Sequence, residues 1–195
     1  MNERLNEQLA FVDEMDKAKG VFRRSHLVGE DRKDDDAQHQ WHFAVMALIL
    51  AEHAAEPIDV GRAVAMGLLH DVVEIDAGDV FVYDESAKAE KAVRELAAAE
   101  RIFNLLPPDQ ARYVRDLWDE FEARQTPEAR FAAAIDRTQA LLQNLRTNGA
   151  AWREHGIVAS QVFALNEQIG LGAPALWEEI RGRIERAVDE GVLPA

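Results

Sequence analysis

Cysteine is missing from all 195 residues, so no disulfide, thiolate metal site or cysteine nucleophile can form. Any metal must therefore sit on histidine, carboxylate and water. No stretch of about 18 uninterrupted apolar residues occurs, which excludes a membrane-spanning helix. No hydrophobic segment follows a basic start, because Met1-Asn2-Glu3-Arg4 is polar and mixed in charge. The expectation is a cytoplasmic chain with no secretory signal and no membrane partner. Basic residues are scarce, 22 against 36 acids, for a net charge of −14. A surface that acidic repels a polyphosphate backbone and argues against a nucleic-acid polymer as partner. It leaves room for a small phosphorylated substrate, because a divalent cation can dominate the field inside one pocket.

Hydrophobic residues make up 48% of the chain, enough for a core, and the length suits one domain. Leu5, Leu9, Val12 and Met15 recur at helical spacing, with Gly20 as a stop. Residues 29–36 read as a charged loop. A helix is expected from Ala37 to about His53, with Trp41, Val45, Leu48 and Ile49 on its apolar face. Pro57 breaks the chain, and Asp59 caps a third helix running through Met66 and Leu69 to His70. Asp76-Ala77-Gly78-Asp79 reads as a turn. Further helices are expected over Ala87 to Leu106, over Asp109 to Ala123, and from Thr126-Pro127-Glu128 through Asp136 to about Thr147. Asn148-Gly149 closes that long helix, and Pro174 opens a last one ending near Gly191. The one short strand-like segment is Asp79–Tyr83. The pattern is all-α, with no internal repeat and no linker.

Six histidines occur, at 26, 39, 42, 53, 70 and 155. His39 stands near a helix start beside Asp34, Asp35 and Asp36. His70 follows the apolar run Met66-Gly67-Leu68-Leu69, with Asp71 next to it and Glu74 four residues on, on the same helical face. Ionised carboxylates near a core are costly unless a cation or donors compensate, and a divalent ion is the economical account. Mn²⁺, Co²⁺, Mg²⁺, Fe²⁺ or Zn²⁺ all suit imidazole with carboxylate. Such an ion activates water and polarises a phosphoryl oxygen, while a nearby carboxylate moves the proton. Each feature has a plainer reading. His70 can simply donate to a backbone carbonyl, Asp71 and Glu74 can mark a helix end, and the Asp34–Asp36 run can be a solvated loop or cap. His42 and His53 read as surface or core fillers, and His155 as packing between helices.

Taken together, Ala37-Gln38-His39, His70-Asp71-Val72-Val73-Glu74-Ile75-Asp76-Ala77-Gly78-Asp79 and Ala134-Ile135-Asp136-Arg137 resemble the motifs of the HD superfamily of metal-dependent phosphohydrolases. The most similar branch is that of the small 5′-deoxynucleotidases. The resemblance covers about residues 5 to 147, and it implies a single HD domain in the form of a helical bundle, with a C-terminal helical extension over about 150–195. It implies His39, His70, Asp71 and Asp136 as metal ligands. Glu74 would position the attacking water or join a second ion, and Asp79 would contact the sugar or share that ion. An arginine late in the first helical region should meet the substrate phosphate. Arg23 and Arg24 fall there, Arg24 with the better spacing to His39, and this match is independent of the metal motif.

Gln38 replaces the family's acid and Gln40 its serine. Ser25 and His26 stand where some members carry a tryptophan. None of these positions is a ligand, and they bear on nucleoside preference. The implied activity is hydrolysis of 5′-(deoxy)nucleoside monophosphates to nucleoside and phosphate by a homodimer. The competing readings are another HD reaction, on a phosphodiester or an alarmone pyrophosphate, and a non-catalytic metal-binding sensor. The tail after Gly149, with Trp152, Leu176 and Trp177, could cover the pocket or build an interface.

Overall fold

In a computed structural model that describes residues 2–83 and 88–195, the chain is a helical bundle with one small hairpin. Helix α1 (Glu3–Met15) runs through a 3₁₀ turn (Asp16–Gly20) into strands β1 (Phe22–His26) and β2 (Lys33–Asp35). Then come α2 (Asp36–Leu50), α3 (Val60–Leu69), the single turn α4 (Glu74–Ala77), α5 (Lys88–Phe103), α6 (Pro108–Ala123) and α7 (Pro127–Arg146). Helices α8 (Ala150–Glu154), α9 (Ala159–Asn166), α10 (Ile169–Gly172) and α11 (Pro174–Asp189) complete the chain.

Local capping chemistry starts these helices where the sequence placed it. Asp35, Asp59 and Thr126 each accept a hydrogen bond from a backbone N–H in the first turn of α2, α3 and α7. The all-α expectation holds, with two local differences. Residues 33–35, read as loop, pair with β1 as an antiparallel strand, His26 opposite Lys33 and Phe22 opposite Asp35. Asp79–Tyr83, the strand-like segment, forms no strand and instead lines a cavity. The expected start of α5 at Ala87 lies outside the described residues.

The long helix α7 is the axis of the bundle. Its small Ala129, Ala132 and Ala134, with Phe131 and Ile135, are buried against Phe43 and Met46 of α2, Met66 of α3 and Leu117 of α6. Gly67 makes the α2–α3 approach possible, since a Cβ there would stand 2.0 Å from the Phe43 ring. A second apolar cluster joins Val72 and Val73 to Ile102 and Phe103 of α5 and Trp118 of α6, with Phe11 and Met15 packed against it. Residues of the C-terminal segment enter the main cluster directly. Ile169, Ile180, Ile184 and Leu193 are buried with Phe43 and Phe131, and Leu176 and Trp177 pack on the outside.

Two helices carry their apolar stripes on the solvent side. Trp41 and Ile49 are 67% and 66% exposed, and Val45 and Leu48 are exposed beside them. The buried face of α2 is Asp36, His39, Gln40, Phe43, Met46 and Ala47. Likewise Leu5, Leu9 and Val12 are exposed on α1. The periodicity located a face correctly but not its side, because the inward face of α2 carries polar groups that serve a site.

A candidate metal centre beneath a cavity

Four side chains from three segments converge under a cavity of about 400 Å³. His39 comes from the second turn of α2, His70 and Asp71 from the end of α3, and Asp136 from the middle of α7. His70 Nε2 lies 3.1 Å from Asp71 Oδ2 and 3.8 Å from Asp136 Oδ1. His39 Nε2 lies 3.5 Å from Asp71 Oδ2 and 3.3 Å from Asp136 Oδ1. Ligand bonds of about 2.0–2.2 Å place neighbouring donor atoms on the order of 3–3.5 Å apart, so the spacing suits one ion.

The imidazoles are oriented for it. Nδ1 of His39 faces Gln139 Oε1 at 3.0 Å, and Nδ1 of His70 faces the carbonyl of Gly67 at 3.0 Å. Both partners are acceptors, so Nδ1 carries the proton and Nε2 keeps its lone pair. Both Nε2 atoms are buried with no hydrogen-bond partner among the described residues. Buried nitrogens left this way are unfavourable unless something fills the gap between the carboxylates. The donor set fits a divalent cation.

Beyond His70 the chain does not continue as a regular helix. Val72 and Glu74 donate to the carbonyls of Leu69 and Asp71, three residues back. Three-residue turns eclipse side chains at i and i+3, which brings Glu74 over Asp71 rather than over His70. With Asp36 these two form a second carboxylate group whose oxygens lie within 4.8 Å of one another. Glu74 accepts from Lys91 at 2.9 Å on Oε1, while its buried Oε2 has no partner among the described residues. Burial, then the charge of Asp71, pushes the Glu74 carboxyl well above the ordinary range, against the pull of Lys91. Burial also raises Asp79, which lines the cavity. Asp71 goes the other way. Burial opposes its ionisation, but His70 and Arg23 outweigh that and hold it well below the usual range.

Asp34, Asp35 and Asp36, read as solvated or capping, are all buried. Asp34 accepts from Gln143 at 2.7 Å, Asp35 caps α2, and Asp36 accepts from Arg23 at 3.2 Å. Of the two arginines, Arg23 turns inward, donating to Asp71 at 2.5 Å and standing 4.0 Å from Asp136. Arg24 borders the cavity but is exposed. The alternation of β1 decides this, since neighbouring strand residues point to opposite faces. His42 and His53 belong to neither group of candidate donors, His39 with His70 and Asp136 or Asp36 with Asp71 and Glu74. His155 stacks on Phe81 with centroids 4.3 Å apart rather than between helices.

Sequence reasoning read Asp36 only as loop or cap and overlooked Lys91, Gln139, Arg124 and Arg137. Asp36 and Gln139 had a usable signal, each three residues from a candidate ligand on one helical face. Lys91 and Arg124 had none. Trp152 from α8 and Leu165 and Asn166 from α9 also line the cavity, so part of the tail does wall it.

A family model described as HD domain matches residues 15–177. The chain is 32% identical over 138 residues to the 5′-deoxynucleotidase HDDC2 of Xenopus laevis, covering 70% of this chain and 67% of that protein. It is 32% identical over 112 residues to the human 5′-deoxynucleotidase HDDC2, covering 57% of this chain and 53% of that protein. Among solved structures, a predicted metal-dependent phosphohydrolase from Magnetospirillum magnetotacticum superposes with a TM-score of 0.94 at 46% identity, over 98% of this chain and 96% of that one. A conserved hypothetical protein from Pyrococcus furiosus shares the fold at a TM-score of 0.69 and 19% identity, over 91% of this chain and 99% of that one.

Proposed function

The chain belongs to the HD-domain family, and on that premise we propose that it is a metal-dependent phosphohydrolase acting on 5′-deoxynucleoside monophosphates. The observation that carries the reading is the pair of buried, unpartnered Nε2 atoms of His39 and His70 facing Asp71 and Asp136. In this reading those four residues hold one divalent ion. When bound, the ion supplies Lewis acidity at the phosphoryl group and lowers the pKa of a water.

The chain's own residues do the rest. Arg23 exchanges its hold on Asp71 for the substrate phosphate, whose oxygens suit a guanidinium fork. Oε2 of Glu74 accepts a proton from the attacking water, and burial, which raises this carboxyl, favours holding the proton until it is passed on. The water oxygen bonds to phosphorus as the bond from phosphorus to the 5′ oxygen breaks, the proton held by Glu74 goes to that 5′ oxygen, and nucleoside and phosphate leave. Asp79 meets the sugar, or with Glu74 shares a second ion. The walls carry Phe81, Tyr83 and Trp152, aromatic surface against which a base can lie.

We also read the protein as a cytoplasmic homodimer of one domain. The exposed Trp41, Val45, Leu48 and Ile49 stripe of α2 supports the dimer, since contiguous apolar surface of that kind favours association.

The test is phosphate release from a panel of ribo- and deoxynucleoside monophosphates, a cyclic phosphodiester and a pyrophosphorylated nucleotide. Metal-stripped protein is compared with protein given Mn²⁺, Co²⁺ or Mg²⁺. Metal-dependent release favouring deoxynucleoside monophosphates is expected. Release from none of the monophosphates would overturn the substrate assignment.

A further inference from the structure

Five basic side chains border the cavity: Arg23, Arg24, Lys91, Arg124 and Arg137. Two have their charge met within the protein. Arg23 is paired with Asp71 and Asp36, and Lys91 with Glu74 and Glu95. Arg124 and Arg137 make no ion pair among the described residues. Arg124 donates from Nη1 to Gln168 Oε1 at 2.9 Å, and its Nε is buried without a partner. Nε of Arg137 is buried without a partner as well.

Both side chains line the same cavity, Arg124 from the end of α6 and Arg137 from the middle of α7. Like charges half-buried together without a counter-ion are unfavourable, and removing one from water leaves its donors unmet. Arg124 also occupies an unusual place. It ends α6 in the left-handed region, φ 52° and ψ 34°, where glycine or asparagine is the comfortable residue. Arg137 directly follows Asp136 on α7, so the α6 end and the α7 face deliver one cation each to the same wall.

We propose that Arg124 and Arg137 form an oxyanion subsite on the α6–α7 wall of the cavity, separate from Arg23, that takes phosphate oxygens of the ligand. Two guanidinium forks converging from different elements match the several acceptors of a phosphate better than a single carboxylate. The phosphate is either the group that is cleaved, with the inorganic phosphate it becomes, or a second phosphate on the same substrate. The inference rests on reading the cavity as the substrate site, and its test needs no turnover.

Inorganic phosphate is titrated calorimetrically into the full chain, metal-free and loaded with Mg²⁺. The proteins are the wild type, Arg137→Gln, Arg124→Gly and, as a control away from the cavity, Arg183→Gln. Loss of one charge-assisted fork should raise the phosphate Kd about tenfold or more in both subsite variants. Arg183→Gln should match the wild type. Arg124→Gly should unfold at the same or a higher temperature than the wild type, because glycine relieves the left-handed backbone. It therefore carries the test if Arg137→Gln fails to fold. Unchanged phosphate affinity in both variants would overturn the subsite. Weakened phosphate binding in proteins that hydrolyse nothing would support it and sink only the nucleotidase reading. A KM raised equally for a 5′-monophosphate and a 3′,5′-bisphosphate assigns the subsite to the cleaved group, and a rise confined to the bisphosphate assigns it to the second phosphate.

Discussion

His39 Nε2 and Asp136 Oδ1 stand 3.3 Å apart across the α2–α7 contact, although 97 positions separate them in the chain. Gln139, one turn beyond Asp136, holds the far side of the buried His39 ring. The same helix thus supplies a candidate donor and the group that orients another candidate donor.

Replacing Asp136 with Ala should abolish tight metal binding and lower metal-dependent phosphate release by more than about 100-fold. Gln139→Ala should leave all four donors in place yet weaken metal affinity by about 10–100-fold, because the His39 ring loses its anchor. Metal content after dialysis against a graded chelator series measures both. Wild-type retention in Gln139→Ala would show that the ring is held by packing alone.

Glu74→Gln should keep the metal, since Glu74 lies outside the His39, His70 and Asp136 group, and should cut kcat by about 10²–10⁴-fold. Rates and metal stoichiometry on the same preparation decide it. An unchanged kcat would remove Glu74 from proton transfer.

The metal-free protein should lose stability as pH rises from about 6.5 to 9. Burial would depress His70, but the charge of Asp71 outweighs it and lifts the folded pKa from 6.5 to about 9. Burial and Asp71 lift Asp36 from 3.8 to about 8. Both folded values exceed the unfolded ones, so each proton is bound more tightly in the native state and its release destabilises. The His70 contribution is complete below pH 6.5 and gone above about 9. Thermal midpoints of stripped protein across this range should fall, and a bound cation, which replaces the His70 proton, should abolish the fall. A flat profile in the stripped protein would contradict the ion-pair network.

Gly67→Ala should destabilise by about 1–3 kcal/mol, the usual range for overpacking. The added methyl meets the Phe43 ring at 2.0 Å, and relief requires α3 to move away from α2. That movement shifts the carbonyl that orients His70, so metal affinity should fall along with the denaturation midpoint. An unchanged denaturation midpoint would contradict the overpacking, and an unchanged metal affinity would contradict the link to His70.

Trp41→Glu should convert the proposed dimer to monomer without loss of fold, since Trp41 is 67% exposed in the single chain. Light scattering on both proteins at equal concentration reads the outcome, and a wild-type monomer would remove the dimer from the account.

Much of this was legible in one dimension. The caps at Asp35, Asp59 and Thr126, the prolines opening α6, α7 and α11, and the motif spacing around His39, His70 and Asp136 are local properties. Covalent neighbours and the helical period determine them, so the sequence by itself sufficed for an all-α chain and for the four candidate ligands. Which way a stripe faces was not decidable locally. The α2 stripe of Trp41 and Ile49 looked like a core face, yet the core takes the opposite side because His39 and Asp36 must meet α3 and β1. The choice of Arg23 over Arg24 needed the strand pairing of residues 33–35, a contact that periodicity cannot register. The neighbours of Glu74 and Arg137 come from α5 and α6, set by packing between elements far apart in the chain. Side-chain type and spacing are written along the sequence, while charge compensation depends on what the fold brings within a few ångströms, and only the tertiary structure decides that.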